Sequence, residues 1–379
     1  MAEPFKNLIN AGTVQSAAKH LRRAWPAFDS ARFARRANAG LDGLEMKARA
    51  MQIADALDAE LPANFGQAAS IIEAALAPAG APPADGGGAN AAAGLRGWIV
   101  WSLGEVVARR VVARPADLPR GLQCLHALTQ RFSAEFAIRP LLRDHPAAVW
   151  PVLRRWAEDP SAHVRRLASE GSRPRLPWGL RLQALVEDPS PAWPVLEALQ
   201  DDPDEVVRRS VANHLNDIAK DHPEALADWL ERHLPGAPPE RVALLRHASR
   251  TLVKAGHPRV LAAWGLGQRL RGRAALTVTP ARARVGDELL LAVTLESSAR
   301  RAQTLVIDYA IQHAGARGER APKVFKGWTL TLAPGEAREL SRRHSLRPIT
   351  TRRYHPGAHP VSLRINGETV AEAGFELLP

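Results

Sequence analysis

The sequence has a single cysteine, Cys124, which excludes an internal disulfide framework and any cysteine-based zinc cluster and suits a reducing compartment. No apolar run comes near the ~18 residues needed to cross a bilayer, and Met1 to Asn10 is too polar for a secretory signal. These absences predict a soluble protein of the cytoplasm. Acidic residues are in deficit, 39 against 51 lysines and arginines, giving a formal net charge of +12 over 379 residues. Such a surface disfavours cationic partners and favours a polyanion, either nucleic acid or an anionic membrane. Arginine outnumbers lysine; its planar fork suits phosphate oxygens, although a GC-rich genome gives the same bias. A hydrophobic content of 46% excludes a largely disordered chain.

Common catalytic motifs are missing too. There is no G-x-x-x-x-G-K-[ST] phosphate loop, no G-x-G-x-x-G after a strand and no G-x-S-x-G nucleophile elbow. The thirteen histidines lack metal-ligand spacing. His214, His222, His344 and His355 read as core or surface residues, and neither a metal nor a cofactor is expected.

What is present falls into distinct textures. Glu3 to about Leu76 has a helical pattern, and residues 77–94 form an Ala/Pro/Gly run, including Gly86-Gly87-Gly88, that reads as a flexible loop. Helical pattern resumes at Trp98 and carries a repeat. Trp150-Pro151-Val152-Leu153 returns as Trp193-Pro194-Val195-Leu196, and Asp159-Pro160 with Val164-Arg165-Arg166 returns as Asp202-Pro203 with Val207-Arg208-Arg209, each 43 residues on. That period lies in the range of HEAT and armadillo repeats, in which helix pairs stack because one pair cannot bury its apolar faces alone. Asp-Pro would start each inner helix, at Ser161 and Asp204, with Asp as cap and Pro in the first turn. A looser third copy runs from Trp229 to Ala255. From Ala275 the pattern alternates instead, with candidate strands at Leu289–Leu295, Thr304–Ile311, Val324–Leu332, Glu339–Leu346, Val361–Ile365 and Thr369–Leu377. Pro334-Gly335 and Asn366-Gly367 mark turns. The fold expected is mainly α: a HEAT-like helical repeat solenoid over 1–272, then an all-β immunoglobulin-like sandwich over 273–379 without its cysteine pair.

A few acidic residues interrupt the basic repeat. Glu135 lies between two phenylalanines, and it is either partly buried for function or a helix-surface residue paired with Arg131 or Arg139 four places away. Glu170 precedes Gly171 and Pro174, so it would occupy a last helical turn, where the macrodipole disfavours an acid. A residue that breaks a local rule is a functional candidate, with a salt bridge to Arg166 or Arg173 as the plain alternative. Asp217 is one turn beyond the repeat equivalent of Glu170 and could meet it across neighbouring helices, or simply pair with Lys220. Trp178, between Pro177 and Gly179, is either core packing or an exposed stacking ring.

These segments resemble the AlkC-type DNA alkylation repair family, bacterial 3-methyladenine DNA glycosylases built from HEAT-like repeats. The resemblance rests on Glu3-Pro4-Phe5-Lys6-Asn7, Ala24-Trp25-Pro26-Ala27-Phe28, Gly104-Glu105, Leu128-Thr129-Gln130-Arg131-Phe132, Glu135-Phe136-Ala137-Ile138-Arg139-Pro140 and above all Ala168-Ser169-Glu170-Gly171-Ser172-Arg173-Pro174-Arg175-Leu176-Pro177-Trp178. One branch of that family carries a C-terminal immunoglobulin-like domain. The resemblance implies a monofunctional DNA glycosylase of base excision repair, releasing 3-methyladenine and potentially 3-methylcytosine from double-stranded DNA. It also implies catalytic roles for Glu135, Glu170, Asp217 and Trp178. Arg165, Arg166, Arg173, Arg175, Arg208 and Arg209 would then hold phosphates, and Lys323, Lys326, Arg347, Arg352 and Arg353 would hold the duplex from the tail domain. The chain is expected to act as a monomer, without cofactor, membrane or obligatory protein partner. The competing expectations are a non-catalytic HEAT-repeat scaffold and a binder of DNA structure.

Overall fold

Helix follows helix as far as Ala263 and only strands follow from Gly272, in a computed structural model that describes residues 4–79, 94–315, 320–348 and 353–379. Arg352 and the Ala/Pro/Gly run at 80–93 lie outside the described residues. The chain divides into two compact units, Met1–Asp221 with Pro238–Ala248, and His222–Ala237 with Ser249–Pro379. No helix among the described residues is long and apolar enough to cross a membrane.

The first unit contains α1 (Ala11–Ala24), α2 (Ser30–Asn38), α3 (Met46–Glu60), α4 (Phe65–Ala75), α5 (Ile99–Ala113), α6 (Leu118–Thr129), α7 (Ile138–Asp144), α8 (Pro146–Trp156), α9 (Ala162–Glu170), α10 (Gln183–Glu187), α11 (Trp193–Leu199) and α12 (Glu205–Ile218). After α13 (Pro223–His233), which lies in the second unit, α14 (Pro239–Ala248) completes the first. The repeat is visible as α8 with α9 and α11 with α12, while α9 packs on α12 and α12 on α14. Val164, Leu167, Val207, Val211 and Leu215 are fully buried, each contributing roughly 1.5–3 kcal/mol. The third copy expected from Trp229 to Ala255 is divided, α14 in the first unit and α13 in the second.

The Asp-Pro signal works differently from the expected cap. Asp159 Oδ1 accepts the Ser161 N–H at 2.8 Å and Asp202 Oδ1 accepts the Asp204 N–H at 2.9 Å. These are Asx turns placed ahead of the N-caps, which are Ser161 and Asp204. Arg165 and Arg208 then fold back on those turns. Arg165 Nη1 donates to Asp159 O at 2.9 Å and Pro160 O at 3.0 Å, and Arg208 Nη1 to Asp202 O at 2.5 Å and Pro203 O at 2.9 Å. Arg165 also pairs with Asp202 of the following repeat at 2.6 Å. Between α4 and α5, Leu76 bridges Leu95, so both ends of the Ala/Pro/Gly segment meet at one junction.

The second unit holds α13, α15 (Arg250–Ala255), α16 (Pro258–Ala263) and β1 (Gly272–Thr279), β2 (Arg282–Ala283), β3 (Glu288–Ser297), β4 (Gln303–Ala314), β5 (Arg320–Leu332), β6 (Ala337–Ser345), β7 (Gly357–Ile365) and β8 (Glu368–Leu377). Two sheets, ordered β1-β3-β6 and β2-β8-β7-β4-β5, form the immunoglobulin-like sandwich. Leu289, Leu291, Val293 and Leu295 of β3 join Ile307, Ile311, Leu363 and Ile365 in its core. The β7–β8 hairpin turns through Asn366 at φ 49° and Gly367 at φ 87°, the paired positive values that an Asn-Gly turn supplies. β2 is two residues long, too short for any periodicity to announce it. Lys323 and Lys326 lie on the edge strand β5, exposed, as is Arg353.

Candidate active site

Glu170 is the last residue of α9, and Gly171 follows because a side chain there would put its Cβ 2.4 Å from Ile138. The carboxylate is buried. Oε1 meets Arg173 Nη1 at 2.6 Å and Arg166 Nη2 at 3.8 Å, and Oε2 accepts the Ser210 hydroxyl at 2.6 Å. Asp217, in the last turn of α12, is 1% exposed; its oxygens take Arg173 Nε at 2.9 Å and Lys220 Nζ at 2.8 Å. Arg173 therefore bridges two acids placed at helix C-termini, and its cation offsets the unfavourable dipole at both. Burial alone would lower the Arg173 pKa, but Glu170 and Asp217 outweigh it and the net shift is upward.

Glu135 is not helical. It lies in the connection between α6 and α7, so the helix-surface pairing with Arg131 or Arg139, one of its two alternatives, does not form. Instead it accepts Ser133 Oγ at 2.7 Å and Arg166 Nη1 at 2.9 Å. Acids and bases alternate as a result: Glu135, Arg166, Glu170, Arg173, Asp217, Lys220. The salt-bridge alternatives set out for Glu170 and the Lys220 pair for Asp217 are all present, but on buried carboxylates rather than on a solvated face.

Behind this ladder His214 is fully buried, its Nδ1 3.0 Å from Ser169 O. Burial, reinforced by Arg173, lowers its pKa from 6.5 to about 4, so the neutral ring is native. The unfolded chain takes up the proton first. His214 therefore supports the fold fully above pH ~6.5, and that support, about 3 kcal/mol, is lost as pH falls towards 4. Urea midpoints are expected to drop less on acidification in His214→Leu than in the parent protein. Equal acid slopes in the two proteins would remove His214 from the account.

Trp178 stands in the segment after α9, 56% exposed and with a left-handed backbone at φ 63°. Its ring lies parallel to Trp101, 6.4 Å between centroids, and Trp101 stacks on Phe136 at 4.4 Å; Phe5 flanks Trp178 at 5.9 Å. The stack runs from the half-buried Phe136, one residue from Glu135, through the buried Trp101 to the exposed Trp178. Sequence reasoning missed Ser210 and the wholly buried Arg139, since burial of a polar group leaves no mark on hydropathy, and Trp101, whose stacking on Trp178 joins residues 77 positions apart.

The arginines expected at phosphates have separate fates. Arg165 and Arg208 are occupied by their turns, Arg173 is turned inward, and Arg175 pairs with Asp221 at 2.6 and 2.7 Å. Arg166 and Arg209 line a cavity of about 300 Å³ between α9 and α12, together with Glu170, Glu205, Val206, Ser210 and Asn213. Chemically the site offers fixed carboxylate oxygens beside an open cavity, suited to stabilising a transient positive charge.

Comparison with known proteins bears on this arrangement. Residues 132–252 match a family described as "DNA alkylation repair enzyme", and residues 273–379 match "Uncharacterised protein YhaZ, C-terminal Ig-like domain". Uncharacterized protein YhaZ of Bacillus subtilis is 35% identical over 266 residues, spanning 69% of this chain and 73% of that one. The solved structure of Pseudomonas fluorescens alkylpurine DNA glycosylase AlkC, bound to DNA containing an abasic site analog, superposes with a TM-score of 0.89 at 36% identity over 100% of both chains.

Proposed function

The chain belongs to the AlkC-type DNA alkylation repair enzymes, and on that premise we propose that it is a monofunctional glycosylase releasing cationic N3-alkylated bases, chiefly 3-methyladenine, from duplex DNA. The observation that carries this reading is Glu170: a buried carboxylate lining an open cavity while sharing Arg173 with Asp217. An N3-alkylated base is already positive and leaves with the glycosidic bond electrons, so no acid need protonate it. The deficit appears on the sugar as an oxocarbenium-like state. A carboxylate ~4 Å from that charge, at an effective dielectric near 20, stabilises it by about 4 kcal/mol, roughly a thousandfold in rate. Glu170 and Asp217 supply this field, and one of them orients the water whose oxygen bonds to C1′ and whose proton passes to a carboxylate or solvent. Glu135 lies towards the lesion and Trp178 packs against the sugar or base. No lysine Schiff base and no cofactor are involved.

Arg166 and Arg209, at the cavity, hold phosphates in this reading, and Lys323, Lys326 and Arg353 hold the duplex from the strand domain. The helical region 1–272 does the chemistry and residues 273–379 assist binding. Incubating the protein with methylated duplex DNA and assaying liberated bases is expected to yield free 3-methyladenine. Duplex binding with no released base would leave a scaffold.

A further inference from the structure

We infer that Arg139 is a positioning residue that holds Glu170 and Trp178 in register through the segment joining them; the inference rests on the glycosylase reading above. Arg139 sits in the first turn of α7 and is 0% exposed. All three guanidinium nitrogens donate to main-chain carbonyls: Nη1 to Gly171 O at 2.9 Å, Nε to Leu180 O at 2.6 Å and Nη2 to Pro174 O at 3.4 Å. One planar fork thus fastens the residue after Glu170 and both flanks of Trp178.

A guanidinium without a carboxylate in contact is an expensive way to fill a core. Burial, with repulsion from Arg173, lowers the Arg139 pKa to about 10, while Asp217, Glu135 and Glu170 act in the opposite direction. A leucine or methionine would occupy that volume at lower cost, so the fork is retained for its geometry. That geometry has an evident use. Trp178 holds φ 63°, a conformation disfavoured for a bulky side chain that persists only where the surroundings over-determine it. Arg139 grips the chain on both sides of it, assisted by Gly179 N–H to Leu176 O and Leu182 N–H to Pro174 O, each 3.1 Å. The fit is close: a Cβ on Gly179 would lie 3.2 Å from Arg139 Cδ and Nε.

Arg139→Lys keeps the charge but cannot reach three carbonyls. Single-turnover release of 3-methyladenine from methylated duplex is expected to fall about a hundredfold, the scale of a misplacement near 1 Å, with affinity for undamaged duplex within about twofold. Combined with Trp178→Ala, the loss should be smaller than the product of the single losses, because both changes disable the same placement. A parent-like rate in Arg139→Lys, or fully multiplicative losses, overturns the inference. If Arg139→Lys does not fold, Gly179→Ala decides: its added methyl presses on the arginine stem, and a fall of about tenfold at unchanged thermal midpoint is expected. A folded Gly179→Ala protein with parent-like rate overturns it equally. The parent protein in the same assay separates the two ideas, since absence of release there sinks the glycosylase reading instead.

Discussion

Glu170→Gln is expected to lower release of 3-methyladenine about a thousandfold while duplex binding survives, the loss matching the ~4 kcal/mol that one carboxylate near the sugar supplies. The amide is isosteric: its carbonyl can accept Arg173 Nη1 where Oε1 now does, and its NH2 can donate to Ser210 Oγ, which turns its own proton to Ser169 Oγ. Arg173 keeps Asp217 as a partner at 2.9 Å, so the local fold is retained. Single-turnover release, read beside binding and a thermal midpoint, gives the answer. A rate within a fewfold of the parent would make Glu170 a structural acid. Asp217→Asn should lose activity in the same direction, and the double variant less than the product, because the two carboxylates act on one charge.

The largest stability effect belongs to Arg173→Met. Removing the bridge leaves Glu170, 5% exposed, with Arg166 at 3.8 Å, and Asp217, 1% exposed, with Lys220 at 2.8 Å. Stranding a buried charge costs about 3–5 kcal/mol, or on the order of 10 °C in midpoint for a unit this size. The diagnostic is the rescue. Arg173→Met combined with Glu170→Gln and Asp217→Asn should recover much of the loss, because the stranded charges are then gone. A triple variant no more stable than Arg173→Met would mean that the arginine matters for packing rather than neutralisation. Thermal unfolding of the parent, single and triple variants decides between them.

How much of this could be read from the chain follows from which interactions are local. The 43-residue recurrence of Asp-Pro and Val-Arg-Arg is a local pattern, and α9 and α12 start at the residues after Ser161 and Asp204 as it implied. Alternation from Leu289 onwards marked the sandwich strands, and Asn366-Gly367 its last hairpin. Of the contacts around the candidate acids, the short-range ones were legible, Glu170 with Arg166 and Arg173 and Asp217 with Lys220, and the long-range ones were not. Glu135 meets Arg166 from 31 positions away and Arg173 meets Asp217 from 44, distances at which no sequence window registers a pair. Arginine counts as surface by hydropathy, so the burial of Arg139 and the inward turn of Arg173 were invisible. The positive φ of Trp178 opposes what its side chain prefers, and only the folded surroundings select it.

The alternating ladder has a consequence for approach. Three acids and three bases nearly cancel at a distance, so an incoming polyanion is steered by the overall +12 and is not deterred by the carboxylates of the ladder. Only in the near field, at contact with the cavity wall, do the individual charges emerge, Glu170 and Glu205 beside Arg166 and Arg209. Attraction at long range thus coexists with a carboxylate held among arginines at short range, without the two opposing each other.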